Sequence, residues 1–332
     1  MSQHRFLAAV ALGLFATQIA SLMLAPLLVA MATEFDTSVA VAGQLATVTF
    51  AAWAVSVVAV GPMSDSVLPA RRAQAVGGLM AFATLSSVIG VPLVAVAADS
   101  GGWRLPFLVI GSLLAACTLL NWFWFPKRAG GGLRSFSFFS RYRALLASPI
   151  FRAGLAVSLA QRMAYFALFS YLAAYLIDAY GMSVGAVALP LAFVGIGTVI
   201  GSYIGGPVAN RKDRLSLIGA SALAGGGGAL LLFSIEVPVW AAVAIATGAV
   251  SLLSVAWPVL IAFSTEVSSQ SRATGVGLLG ASNQSGGVGG AALGGLLLAA
   301  SGFPGVGYLC LGAVAFSAVV IALFMRRPMP AS

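Results

Sequence analysis

The chain has 332 residues, of which 60% are hydrophobic and only 8% charged, with a net charge of +9. Soluble domains carry roughly 45–50% apolar and 25% charged residues, so a water-dissolved fold is excluded and lipid must be the solvent for most of the chain. The basic residues sit in short gaps between apolar runs, which argues against a nucleic-acid partner.

A membrane span needs about 20 mostly apolar residues. Runs of that kind fall near 6–31, 40–63, 73–98 and 104–125, then near 152–177, 184–208, 215–235, 238–263, 273–300 and 304–325. The first run is longer than the 7–15-residue apolar core of a cleaved signal and reads as a spanning helix. The expectation is an all-α integral membrane protein of about ten helices. Four belong to an N-terminal bundle (1–125) and six to a C-terminal bundle (152–332), joined by a linker over 126–151. The linker carries Lys127, Arg128, Arg134, Arg141 and Arg143. With Phe136, Phe138 and Phe139 it could form an amphipathic helix at an anionic lipid surface.

Charge sorting sets the orientation. With the N-terminus in the cytoplasm, fifteen of the 17 Lys and Arg residues fall on cytoplasmic segments, as the positive-inside rule requires. They are Arg5, Arg71, Arg72, the linker set with Arg152, then Arg211, Lys212, Arg214, Arg272, Arg326 and Arg327. Only Arg104 falls outside, and Arg162 lies within a helix. Glu34, Asp36, Asp99, Asp178 and Glu236 take the outer loops. Both termini are expected in the cytoplasm, in a cell (inner or plasma) membrane.

Two segments recur. Gly61-Pro62-Met63-Ser64-Asp65 returns as Gly206-Pro207-Val208-Ala209-Asn210, offset by 206 − 61 = 145. Arg72-Ala73-Gln74-Ala75-Val76-Gly77 returns as Arg272-Ala273-Thr274-Gly275-Val276-Gly277, offset by 272 − 72 = 200. The difference, 200 − 145 = 55 residues, is the length of a helical hairpin that the first copy lacks. Both Gly-Pro copies face the cytoplasm, so the halves are parallel repeats rather than the inverted repeats of two five-helix units.

These residues resemble the major facilitator superfamily, with two six-helix bundles around a central substrate path. Gly61–Asp65 is similar to the start of that family's loop after helix two, and Gly206–Arg211 to the loop after helix eight. Gly90-Val91-Pro92, followed by Gly102-Trp103-Arg104 and Phe107, resembles the fifth-helix signature of its drug and sugar efflux antiporters. After Asp65 the family pattern stops, and Arg71-Arg72 resembles the loop before helix five. The resemblance therefore implies that family helices three and four are absent, the fourth of which normally lines the cavity. It also implies a cytoplasmic gate around Gly61, Pro62, Asp65, Arg71, Arg72, Gly206, Pro207, Asn210, Arg211 and Arg214. Gly90, Pro92, Trp103 and Arg104 form the implied helix-packing signature.

No catalytic, metal or cofactor set is visible. His4 is the only histidine and lies at the exposed terminus, and Cys117 and Cys310 lie inside apolar runs. The Gly225–Gly228 run has no following Lys and reads as helix packing rather than a phosphate loop. Arg162 is the one deep charge. Ten residues beyond Arg152, at about 1.5 Å each, it lies near the middle of a core about 30 Å thick. Such a charge is costly unless it faces a wet cavity or a partner. The repeat offset puts Thr17 at the matching depth, 162 − 145 = 17, beside Gln18, and Tyr165 is one turn from Arg162. Thr17, Gln18, Gln161, Arg162, Tyr165, Asn283 and Gln284 are therefore candidates to line a substrate path, or else to bond across helices and hold the bundle.

The resulting expectation is a secondary transporter exporting a small organic solute, with the bilayer and the solute as partners and no enzyme activity. No carboxylate falls inside a predicted span, so a proton-coupled cycle would need Asp36 or Asp178 near the outer face. Self-association could seal the side left open by the missing helices. The alternative is a non-transporting membrane remnant, scaffold or sensor.

Overall fold

The computed structural model describes residues 3–65, 86–124, 138–269 and 271–325, and the described residues contain helices and turns without a strand. In the N-terminal half these are α1 (Gln3–Leu22), α2 (Leu24–Glu34), α3 (Val39–Ala42) and α4 (Gln44–Asp65). A π-helical turn (Ser86–Gly90) then leads into α5 (Val91–Gly101), and α6 spans Arg104–Trp124. A short helix, α7 (Phe138–Ala147), lies in the predicted linker, with Tyr142 buried and Arg143 exposed. The C-terminal half holds α8 (Pro149–Tyr180), α9 (Ala188–Val208), α10 (Arg214–Ser234), α11 (Val239–Ser254), α12 (Ala256–Val267), α13 (Arg272–Ser301) and α14 (Phe303–Val320).

Helices occur at all ten predicted runs, the third being described only from Ser86. Among the described residues five helices are long and apolar enough to cross a membrane, or six when the bent α1–α2 pair counts as one. The glycines of α13 dilute its hydropathy despite its 30 residues. The start of the third predicted run, 73–98, and the point where the first repeat lacks a hairpin fall on residues 66–85, outside the described residues.

Proline explains three interruptions that the apolar runs alone concealed. Each Pro lacks the N–H that would bond the carbonyl four residues earlier. Pro26 frees Leu22, where the helix bends by 42°. Pro92 frees Val88, inside the π-helical turn, a common site for such a bulge. Pro258 frees Ser254, the last residue of α11.

The core is built around α8, which at 32 residues is about 48 Å long. Leu168, Phe169, Tyr171, Leu172 and Leu176 on it are 0–1% exposed. It packs against α13, α14, α11, α12 and α2. Glycines let the helices approach closely, as expected where lipid removes the hydrophobic drive to associate. A Cβ on Gly290 of α13 would come within 2.6 Å of the Met163 carbonyl oxygen of α8. The two halves meet along three seams, α4 on α13, the π-helical turn and α5 on α9, and α2 on α8.

Candidate solute path between the halves

At the ends of α2, α5 and α6, expected to face outward, the Glu34 carboxylate accepts from the Trp103 indole N–H and pairs with Arg104 at 2.6 Å. The Arg104 guanidinium lies 4.4 Å from the centroid of the Trp103 ring. Asp99 accepts from the Gly185 N–H at 3.0 Å, tying the two halves at that end. Gly90 meets the Ile19 side chain, and Pro92 begins α5.

At the opposite end, Gly206 and Pro207 close α9, and Asn210 is exposed in the turn that follows. Arg211 donates to both Asp213 oxygens, at 2.8 and 3.0 Å, and holds that carboxyl below its ordinary pKa by hydrogen bonding. Arg214 donates to the Ala209 carbonyl at 3.0 Å and forms a two-pronged pair with Glu266. Glu266, the partner of Arg214 at this end, was not singled out in the sequence. In the first copy Gly61, Pro62 and Asp65 end α4, with side chains outside the described residues, as are Arg71 and Arg72 altogether.

The middle of α8 carries a buried polar row. Gln161 is 1% exposed and donates through Nε2 to Ser317 Oγ at 2.9 Å, leaving Oε1 without a partner. Arg162 is 7% exposed. Its guanidinium carbon lies 5.2 Å from the Tyr165 ring and 5.1 Å from the Trp257 ring, and one terminal nitrogen has no acceptor. Tyr165 shares a 3.2 Å hydrogen bond with Thr198 and stacks on Phe169. Ser158, one turn before Arg162, is fully buried with its hydroxyl unpartnered. Above this row Phe50 of α4 fills the space between Gly287 and Phe166, its ring centroid 4.6 Å from that of Phe166.

The other candidates are placed less closely. Gln284 is buried on α13 with Oε1 unpartnered, and Asn283 beside it is half-buried. Thr17 donates to the Gly13 carbonyl of its own helix at 2.9 Å, and Gln18 is half-buried. Among the described residues no hydrogen bond joins Gln18, Asn283 or Gln284 to Arg162. Trp257, Thr198, Ser317 and Ser158 complete the row and were not singled out in the sequence. Trp257-Pro258 at a helix break was the available signal.

A cleft of about 230 Å³ lies elsewhere, near the predicted outer end, lined from both halves by residues including Val29, Ser38, Asp178, Leu298 and Phe303. Asp178 is sixteen residues, about 24 Å, along α8 from Arg162. The cleft is thus distinct from the polar row. Among the described residues no group of three His, Cys, Asp or Glu side chains is placed to hold a metal.

A family model described as the Major Facilitator Superfamily matches residues 63–256, more than half of the chain. The chain belongs to the Major Facilitator Superfamily. It is 28% identical over 158 residues to the "Putative transporter AraJ" of Escherichia coli (strain K12), covering 47% of this chain and 39% of that protein. The identity is again 28% over 158 residues to the "Inner membrane transport protein YdhP" of the same strain, of which 40% is covered. The chain thus matches about two fifths of the length of these curated relatives. Among solved structures, a bacterial homologue of the human lysosomal transporter Spinster superposes with a TM-score of 0.69 at 16% identity, over 100% of both chains. The Escherichia coli fucose:proton symporter FucP superposes with a TM-score of 0.54 at 16% identity, over 98% of this chain and 84% of that one. These likenesses establish the superfamily fold, an all-α multi-pass membrane architecture.

Proposed function

We propose that this superfamily member is a secondary transporter that exports a small organic solute by rocking its two halves about the seams between them. The supporting observation is the row Ser158, Gln161 and Arg162, buried at mid-length in the helix that packs against most of the others. Unpaired polar groups at that depth are costly and mark solute or ion pathways. In this reading Thr17, Gln18, Tyr165, Asn283 and Gln284 join the row along the path. The four-plus-six helix division about the 126–151 linker, cytoplasmic termini and an inner-membrane location belong to the same reading.

The outer closure suits alternating access. Asp99 and the Gly185 N–H make an exposed hydrogen bond across the halves, the kind of contact that is weak and exchangeable in water. Asp178, a carboxylate lining the outer cleft, is the candidate for ion coupling in this reading. Protein purified and reconstituted into lipid vesicles should show saturable, substrate-dependent flux from a panel of organic anions, cations and sugars under an imposed proton gradient. Absence of flux for every class would leave the scaffold or sensor role instead.

A further inference from the structure

We infer that Arg162 is an anion-recognition point, and that its ligand is a small monocarboxylate carried on a flat apolar or aromatic body. The inference rests on the solute-path reading for its location, and on charge balance and geometry for its chemistry.

Charge balance comes first. The chain has eight carboxylates. Glu34, Asp213 and Glu266 are paired with Arg104, Arg211 and Arg214 at the helix ends. Asp99 accepts from Gly185, and Asp36 and Glu236 lie in turns between helices. Asp178 is about 24 Å along α8, and Asp65 ends α4. Arg162 therefore has no ion-pair partner among the described residues, although it is 7% exposed. A buried charge left uncompensated is strongly unfavourable. A bound anion would remove that penalty.

Geometry then narrows the class. The ring faces of Tyr165 and Trp257 attract the cation but accept no conventional hydrogen bond from it. The unpartnered terminal nitrogen leaves part of the guanidinium fork free, and a carboxylate matches that planar fork in shape and charge. One positive charge matches one negative charge. A phosphate dianion would bring a surplus into a region where no second cation is found among the described residues. Ser158 and Gln161, with a free hydroxyl and a free amide oxygen within one turn, can bond a ligand's own polar substituent. Trp257, half-buried beside the guanidinium, offers a flat apolar ring against which a ligand ring can pack.

The test is equilibrium binding to the purified full chain in detergent, with benzoate as the probe and benzamide as its neutral isostere. Trp257, whose ring faces the guanidinium, serves as the fluorescent reporter, and radiolabelled benzoate gives the affinity independently of it. Benzoate should shift the emission saturably, with benzamide at least about tenfold weaker, the scale of one charged hydrogen bond. Arg162→Met should abolish benzoate binding while the protein stays helical and monodisperse. Arg162→Lys should weaken it but retain it, since the charge survives without the fork. Equal affinity for benzoate and benzamide would overturn the inference, as would undiminished benzoate binding by folded Arg162→Met. Displacement of benzoate by lower concentrations of inorganic phosphate would overturn the carboxylate assignment in favour of a phosphate, whether free or on a lipid headgroup. If Arg162→Met does not fold, the benzoate-to-benzamide ratio and the Lys variant decide. Flux separates the two levels. Arg162-dependent benzoate binding without flux of any solute supports the anion site and defeats the transporter reading. Flux of neutral solutes unchanged in folded Arg162→Met, with no preference for benzoate, defeats the anion site alone.

Discussion

The C-terminal helices meet backbone to backbone, whereas the N-terminal helices meet through side chains. Gly197, Gly201 and Gly205 of α9 recur every fourth residue and lie directly against the carbonyl oxygens of Thr247, Ser251 and Val255. Gly307 likewise abuts the Leu230 Cα. Among the described residues of the N-terminal half, the atoms nearest a Cβ at Gly90 belong to the Ile19 side chain and those nearest one at Gly101 to the Leu105 side chain, while Gly111 has nothing within 4 Å. Two rows of large apolar side chains there stand exposed, Val41, Leu45 and Val48 on α3 and α4, and Ile89, Leu93 and Val96 on and before α5. Lipid solvates such rows as well as a neighbouring helix would, so they add little drive to associate, and close packing must hold a membrane bundle together. The close packing of the N-terminal helices is found where they touch the other half. Phe50 seats on Gly287, and the Ser87–Val88 backbone seats on Gly195. The C-terminal half supplies its own cohesion, and the N-terminal half depends on the seams.

The largest effect should come from filling a backbone contact. In Gly201→Leu the new Cβ would overlap the Ser251 carbonyl, which cannot rotate away as a side chain could. Folded, monodisperse protein should be lost, an effect beyond the roughly 4–5 kcal/mol that single substitutions rarely exceed. Gly111→Leu, facing open space, should stay within about 0.5 kcal/mol in thermal unfolding. Equal damage from both would break the contrast between the halves.

Next comes the seam itself. Phe50 is 1% exposed, and Phe50→Ala should cost about 3–5 kcal/mol by emptying the space between α4, α8 and α13. A Cβ at Gly287 would come within 2.8 Å of the Phe50 ring. Gly287→Ala should therefore destabilise by about 1–3 kcal/mol through overpacking, and much less in a Phe50→Leu background. A coupling near zero in that double-mutant cycle would show that α4 does not lean on α13.

Local apolar pattern and charge made the helices legible in the sequence, and Arg162 with them. A guanidinium ten residues into a span is visible from counting alone. The 55-residue difference between the two repeat offsets was visible for the same reason. Pro26, Pro92 and Pro258 were on view, yet each run was read as one unbroken rod, because hydropathy is blind to a single missing N–H. Groups joined across long sequence separations stayed hidden. Gln161 meets Ser317 and Arg214 meets Glu266 only through tertiary packing, 156 and 52 residues apart. Repeat arithmetic placed Thr17 at a depth equivalent to Arg162, but depth says nothing about direction, and its hydroxyl bonds its own helix.

The smallest effects should come from the end latches, and they sharpen the same contrast. The Arg214 side chain is 21% exposed and also holds the Ala209 carbonyl, so its pair with Glu266 joins the α9–α10 turn to the end of α12. Glu266→Gln keeps the shape and removes the charge, and should lower stability by about 0.5 kcal/mol. Arg104 is 61% exposed and Glu34 is 43% exposed, so water and salt screen that pair. Glu34→Gln also keeps a carbonyl oxygen for the Trp103 N–H, and its thermal midpoint should match the wild type. Raising the salt to about 1 M, where the Debye length falls to about 3 Å, should shrink the Glu266→Gln difference without erasing it, because the Arg214 side is partly shielded. If Glu34→Gln proves the more damaging of the two, the N-terminal helices hold together at the Glu34–Arg104 end, and their dependence on the seams is smaller than the packing indicates.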